Sequence, residues 1–304
     1  MAGIINTGSY PKALWEGVKA WWDSAAASTP QYAPLLFKKE TSTKNYEEYV
    51  QSVGLGLATV KPEGAPISFD GMQQGFVVRG TNVAFGLGII VTYEELQDNL
   101  YVKLTKGRVE ALRRAFAETK NINATNIFNR AFNANYKGGD GVSLLNTAHP
   151  NFSSGTWANK LSVDSQLSQA AIEDMLILMM QAKNDRGYIE PLMGDKLVVH
   201  PNNYFNAERI LGTPKQVGSN NNDINPINTQ GLLRGGIVSN PYLTGTGPWF
   251  ITTNAAEGLI HQEREALSIW EDNDADTRNF KVGAYERYTF IWVNPRGLYG
   301  SNAA

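Results

Sequence analysis

Ser52 to Val91 reads SVGLGLATVKPEGAPISFDGMQQGFVVRGTNVAFGLGIIV, and Thr92 to Ile122 continues TYEELQDNLYVKLTKGRVEALRRAFAETKNI. The first stretch alternates apolar with small or polar residues but carries too few large side chains to build a core of its own. The second changes period. Thr92 with Glu95 forms a capping box, and Tyr93, Leu96, Leu100, Leu104, Ala111, Leu112, Ala115 and Phe116 recur at helical spacing. About 28 helical residues would span about 42 Å, well beyond the usual three turns. An isolated hairpin is marginal in water, so a glycine-studded arm beside a long strut predicts an element that docks on a neighbouring subunit.

The 304-residue chain is long enough to bury a sizeable core as one complex domain or two lobes. Its 42% hydrophobic and 18% charged content are globular values. No apolar run reaches the roughly 18–20 residues of a membrane span. The N-terminal MAGIINTGSYPKALWEG does not read as a signal peptide, so the chain is expected to stay where it is made. Zero cysteines exclude disulfides and thiolate metal sites. A formal net charge of -2 leaves no global field that would draw in nucleic acid.

Pro11–Ser24 predicts an amphipathic helix with Leu14, Trp15, Val18, Trp21 and Trp22 on or near one face, followed by a flexible connector, SAAASTPQYAP. Pro62-Glu63-Gly64-Ala65-Pro66 predicts a turn at the far end of the arm. After the long helix, Asn121–Phe132 reads as a second helical piece, Lys137–Gly141 as a breaker and Val142–Leu145 as a strand. Ser168 caps a helix through Lys183 that carries Ile172, Met175, Leu176, Met179 and Ala182 inward, and Lys196–His200 reads as a buried strand stopped by Pro201. Tyr204–Leu211 reads as a helix and 218–230 as an Asn-rich loop. Strands follow at Gly236–Val238, Trp249–Thr253, Leu267–Trp270 and Tyr285–Val293. Helices and strands are segregated, an α+β pattern.

No constellation argues for catalysis. His149, His200 and His261 lack any acid at ligand spacing and read as loop, strand-end and surface histidines. Asp272-Asn273-Asp274-Ala275-Asp276 opens like a calcium loop, but Thr277 stands where the turn needs Gly and Gly283 where a bidentate Glu is required. Gly54-Leu55-Gly56 and Gly86-Leu87-Gly88 lack the third glycine and following helix of a dinucleotide site, and they read as bulges or close backbone approaches. Catalytic, cofactor-binding and metal residues are therefore expected to be none. An enzyme built on Asp272, Asp274 and His261 is the reading this disfavours.

In KPEGAPISFDGMQQGF, VTYEELQDN, FNRAFNANYKGGDGVSLLNTAHPN, LSQAAIEDM, GDKLVVHPNNYFNAERIL and VSNPYLTGTGPWFI, taken in order over about residues 45–300, the chain resembles the major head (capsid) subunits of tailed bacteriophages, specifically the Mu-like major head family. The Ala-His-Pro-Asn loop and the segment from Leu197 to Leu211 carry most of the likeness. His200 departs from it where a second proline is expected.

The resemblance implies the Hong Kong 97 phage major capsid fold: an N-terminal arm at 1–50, an extended loop at 51–91, a peripheral domain at 92–165 and 281–304 built on a long spine helix, and an axial domain at 166–280. It implies a structural protein, not an enzyme, whose hexamers and pentamers close into an icosahedral shell around double-stranded DNA. Implied partners are further copies of the chain, a separate scaffold, a portal, decoration proteins and non-specifically packaged DNA, with no membrane and no cofactor. The implied location is the virion, after assembly in the host cytoplasm. An encapsulin-like compartment of the same fold is the alternative. Some family members join subunits through a lysine of the extended loop; Lys61, at the arm's turn, reads as a solvated lysine instead.

Overall fold

A computed structural model describes residues 11–26, 29–92, 94, 101–152, 155–216, 223–273 and 279–303. Two four-stranded sheets and one long helix organise them. The first sheet has the order β1-β10-β11-β4, formed by β1 (Lys38–Thr41), β4 (Val83–Val91), β10 (Leu259–Asn273) and β11 (Phe280–Trp292). The second has the order β12-β9-β7-β8, formed by β7 (Gly194–Val199), β8 (Gly236–Ser239), β9 (Trp249–Thr253) and β12 (Leu298–Ser301). A hairpin of β2 (Tyr46–Val53) and β3 (Gln73–Thr81) projects beside them, and β5 (His149–Pro150) and β6 (Thr156–Trp157) make a small ribbon.

The long helix runs through Tyr101–Asn129, 29 residues and about 43 Å. It links both sheets. Its first half buries Val109, Leu112 and Phe116 against Val91, Phe280, Val282 and Ala284 of the first sheet. Its second half buries Ala124 and Phe128 with Val198, Phe250 and Leu298 of the second, and Phe128 meets Phe37 and Phe250 edge-on at 6.0 and 5.4 Å. The helix at Pro11–Ala26 lies across the first half through Val18 and Trp22. The other face of the second sheet is covered by the helices Gln169–Met180 and Tyr204–Gly212, with Leu197, Trp249 and Ile251 in the core between them.

Several expectations need correction. Asn121–Phe132 is no second helix: the strut runs on to Asn129, because Asn121 spends its amide on Tyr32 N (3.0 Å) and Pro30 O (2.8 Å) rather than on its own backbone. Val142–Leu145 forms one bridge, Lys137 to Ser143, and then tucks Leu144 and Leu145 into the core as an irregular segment. The connector after the first helix contains a helical turn, Ala33–Leu36, pinned by burial of Ala33 and Leu36. Leu267–Trp270 belongs to a 15-residue strand that starts at Leu259, and β1 and β2 were not anticipated at all. On the strut, the Arg113 guanidinium lies 4.9 Å from the Trp22 ring, and burial pushes its pKa down. Arg114 is exposed, and so is Ala111, which the helical spacing placed with the inward residues. The capping box and Tyr93, Leu96 and Leu100 lie outside the described residues, as does the side chain of Leu104.

The cap at Ser168 stands as read, its Oγ accepting from Ala171 N at 3.2 Å, and Ile172, Met175, Leu176 and Met179 are buried. The helix ends three residues early, at Met180.

Candidate functional site

The hairpin is the feature that calls for a function. Its strands pair from Tyr46↔Thr81 to Val53↔Gln73, with an irregularity between Val50 and Ser52. Beyond them residues 54–72 run on without ladder partners, held together by Thr59 Oγ1 against Ser68 Oγ at 2.8 Å and by a turn in which Ala65 N donates to Pro62 O at 3.1 Å. Gly64 takes φ +77° there, the conformation that position i+2 of a type II turn requires. Val60 and Phe69 are each 95% exposed, and Leu55, Leu57, Ile67 and Met72 are also uncovered. A run of large apolar side chains in water marks a surface that another molecule covers.

The hairpin is rooted at three levels. At its base, the buried Asn82 donates through Nδ2 to Ser42 Oγ and Lys44 O, each at 3.0 Å, and accepts from Gln262 Nε2 at 2.9 Å. Midway, Gln51 Nε2 donates to Asp185 Oδ2 at 3.1 Å, and Asp185 Oδ1 in turn takes Arg296 Nη2 at 3.1 Å in a nearly buried pair. Nearer the tip, Arg186 Nη1 meets Asp70 Oδ2 at 2.6 Å while its Nη2 donates to Gly71 O at 2.8 Å. Gly56 N also donates to Asp70 Oδ2, at 2.7 Å, and a Cβ on Gly56 would stand 3.1 Å from that oxygen, so the close approach explains the glycine. Rigid roots and an uncovered end suit an arm that reaches a neighbour.

The histidines lie apart from this surface, and His149 and His261 differ from expectation. His149 is buried, with Nδ1 2.6 Å from Asp140 Oδ2, Nε2 3.0 Å from Asn159 Oδ1 and its ring stacked on Trp157. Asn159 Nδ2 donates to the carbonyls of Leu144, Pro295 and Leu298, so the Ala-His-Pro-Asn loop is sewn to the C-terminal strand. His261 is no surface histidine: it sits buried in β10, stacked on Phe290 at 4.6 Å, and burial pushes its pKa down to about 4. His200 ends β7 and accepts from Asn202 N at 3.2 Å. Asp272 lies in β10 opposite Lys281, and Asp274 is outside the described residues. Among the described residues no three His, Asp or Glu side chains converge as a metal site.

Sequence reasoning missed a buried charge in the strut. Glu286 of β11 faces the long helix and pairs with Lys120 at 2.6 Å, while Tyr288 beside it accepts from Asn123 at 3.0 Å. Burial raises the Glu286 pKa even though Lys120 opposes the shift. Period-2 alternation signals that residue 286 faces inward, but no local pattern names Lys120 as its partner.

The model of the family described as phage capsid protein matches residues 79–301 of this chain, from near the base of the hairpin's return strand to the final strand. The chain belongs to the phage capsid protein family. It is a structural shell protein with a Hong Kong 97-like fold. No curated protein matches it significantly. Its fold is similar to that of the virus-like particle from Pyrococcus furiosus, at TM-score 0.55 and 11% identity over 95% of this chain and 99% of the other. It is also similar to the procapsid of bacteriophage JBD30, at TM-score 0.51 and 14% identity over 96% of this chain and 75% of the other. The holo-SrpI encapsulin complex from Synechococcus elongatus PCC 7942 gives TM-score 0.52 and 12% identity over 90% and 86%. At such identities the likeness is one of fold.

Proposed function

We propose that this capsid-family chain is the major head subunit of a tailed phage of the Mu-like type, closing as hexamers and pentamers into an icosahedral shell around double-stranded DNA. The observation that carries the reading is the rooted hairpin with its uncovered apolar tip: in a lone subunit it exposes Phe69 and Val60, and only a neighbour can bury them. We assign 1–50 to the N-terminal arm, 51–91 to the extended loop, 92–165 and 281–304 to the peripheral domain and 166–280 to the axial domain. The role is mechanical rather than enzymatic, with no catalytic, cofactor or metal residue. The near-neutral charge of -2 supports it, since a wall that bound phosphates tightly would oppose packing and release of DNA. A separate scaffold, a portal and decoration proteins complete the partners, and assembly takes place in the host cytoplasm.

The encapsulin among the structural neighbours favours one second reading, a compartment that encloses protein cargo. Electron microscopy of the purified protein, with the absorbance ratio of the particles, tests both. Closed shells that hold or accept DNA support the phage head, shells that retain a co-purifying enzyme support the compartment, and a monodisperse single subunit at every concentration contradicts both.

A further inference from the structure

We propose that Asp70-Gly71, in the outer part of the hairpin, is a site of spontaneous covalent modification, closing to a succinimide and reopening as isoaspartate, and that Arg186 is its brake. The chain holds two Asp-Gly dipeptides, Asp70-Gly71 and Asp140-Gly141, and no Asn-Gly. Glycine has no side chain to hinder its amide nitrogen, so both dipeptides are chemically suited to ring closure. The fold separates them. Gly71 N lies 2.9 Å from Asp70 Oδ1, beside the carboxyl carbon that it must reach. Both residues are exposed, belong to the stretch 54–72 that has no ladder partners, and have open space beside the Gly71 Cα. Asp140 is instead locked: its Oδ2 meets the buried His149 at 2.6 Å, its Oδ1 accepts from Val142 N at 3.3 Å, and Gly141 N donates to Gly138 O at 3.1 Å.

In the reaction Gly71 N attacks Asp70 Cγ. A C–N bond forms, a carboxyl C–O bond breaks, and the departing oxygen leaves as water, taking the amide hydrogen and the proton of the acid form. Water then adds to the imide. Opening at Cγ restores aspartate, whereas opening at the Asp70 main-chain carbonyl carbon leaves the backbone running through Cβ and Cγ, which is isoaspartate. Arg186 opposes the first step twice. The Gly56 N–H and the Arg186 guanidinium, 2.7 and 2.6 Å from Oδ2, hold the carboxyl pKa below the usual range, and the ionised form gives up oxygen poorly. Arg186 Nη2 also donates to Gly71 O at 2.8 Å and restrains the peptide plane that ring closure must turn. The product carries its carboxylate on the main-chain carbon and lengthens the backbone by one carbon, so the Arg186 pair loses its register. Conversion therefore unties the outer hairpin from the loop that follows the Gln169–Met180 helix.

Mass-spectrometric mapping of the full unassembled chain, incubated for weeks near neutral pH, tests this. Loss of one water marks the succinimide, and backbone fragmentation tells isoaspartate from aspartate. Isoaspartate is expected at residue 70 and not at residue 140, and several-fold faster in Arg186→Ala. It should form about tenfold more slowly in Gly71→Ala, whose added methyl meets no other atom of the fold but shields the amide nitrogen. The free peptide Ile67–Gln73 supplies the untethered rate. No isoaspartate at residue 70 of Arg186→Ala, over a time in which that peptide converts, would overturn the site. Equal rates with and without Arg186 would overturn the brake, and conversion at residue 140 as fast as at residue 70 would overturn the selection by the fold.

Discussion

Asp70 and Arg186, 116 residues apart in the chain, meet at 2.6 Å and tie the outer part of the hairpin to the loop that follows the Gln169–Met180 helix. The pair is exposed and water-screened, so its effect is on the hairpin's position rather than on global stability. Arg186→Ala should raise amide exchange across 54–72 several-fold in the unassembled subunit and leave the melting temperature nearly unchanged; unaltered exchange would show that the tip is held by other means. The Gly56 N–H, together with Arg186, holds the Asp70 carboxyl below the usual carboxylate range. A depressed folded value means that the tether is fully present above about pH 4 and is lost only as pH falls through that lower value, so exchange at the tip should rise in acid below the ordinary carboxyl range.

Leu112 is buried between the strut and the first sheet, and Arg114, two residues on, is exposed. Leu112→Asp buries an unpaired carboxylate and leaves a packing defect, costing about 3 kcal/mol or more of a typical roughly 5–15 kcal/mol. That variant should be insoluble or unable to assemble. Arg114→Ala should cost at most about 1 kcal/mol and assemble normally. Chemical denaturation of both settles which face of the helix carries the load.

Lys120 is the counter-ion of a carboxylate that has almost no access to water. Removing it as Lys120→Met strands Glu286, with an expected cost of about 3–5 kcal/mol. Glu286→Gln in the same chain should recover most of that loss, because the amide has no charge to strand. The folded pKa of Glu286 is raised, so its contribution favours the fold below its unfolded value and fades as pH rises through the ordinary carboxyl range to the raised one; Lys120→Met should steepen that fall. Urea titrations at several pH values, compared across the three chains, measure it.

His261 has the opposite sign. With its folded pKa down to about 4 against about 6.5 for a free imidazole, the unfolded chain binds the extra proton between those values, and stability falls as pH drops through that window. The loss is on the order of 3 kcal/mol if His261 acts alone. His261→Leu should lack this slope, so the gap between variant and unaltered chain should widen from pH 7 to pH 4 in favour of the variant. A constant gap would mean that the imidazole reaches water in the folded state.

How much of this was legible in the sequence depended on whether a signal was local. The turn at Pro62–Ala65, the cap at Ser168, the strand at Trp249–Thr253 and the inward face of Leu112 and Phe116 each follow from a short pattern, and the α+β class follows from their order. β1 was missed because Lys38-Lys39-Glu40-Thr41 is polar throughout and becomes a strand only by lying parallel to β10, where Lys39 meets Glu263 at 2.6 Å. The first half of β10 hid for the same reason: His261 reads as a surface residue until Phe290 stacks on it, and the neighbouring Gln262 is held by Asn82 and Gly80. The arm's uncovered end was expected from its thin core, but its tether was not. Nothing within twenty residues of Asp70 foretells Arg186.

The central claim, that the hairpin is an arm completed by a neighbouring subunit, is tested most directly by hydrogen exchange read segment by segment in the unassembled subunit and in closed particles. The account predicts rapid exchange over 54–72 in the subunit and strong protection of those same amides in the particle, while the core strands Gly194–Val199 and Trp249–Thr253 stay protected in both. Equal protection of 54–72 in the two states would contradict it.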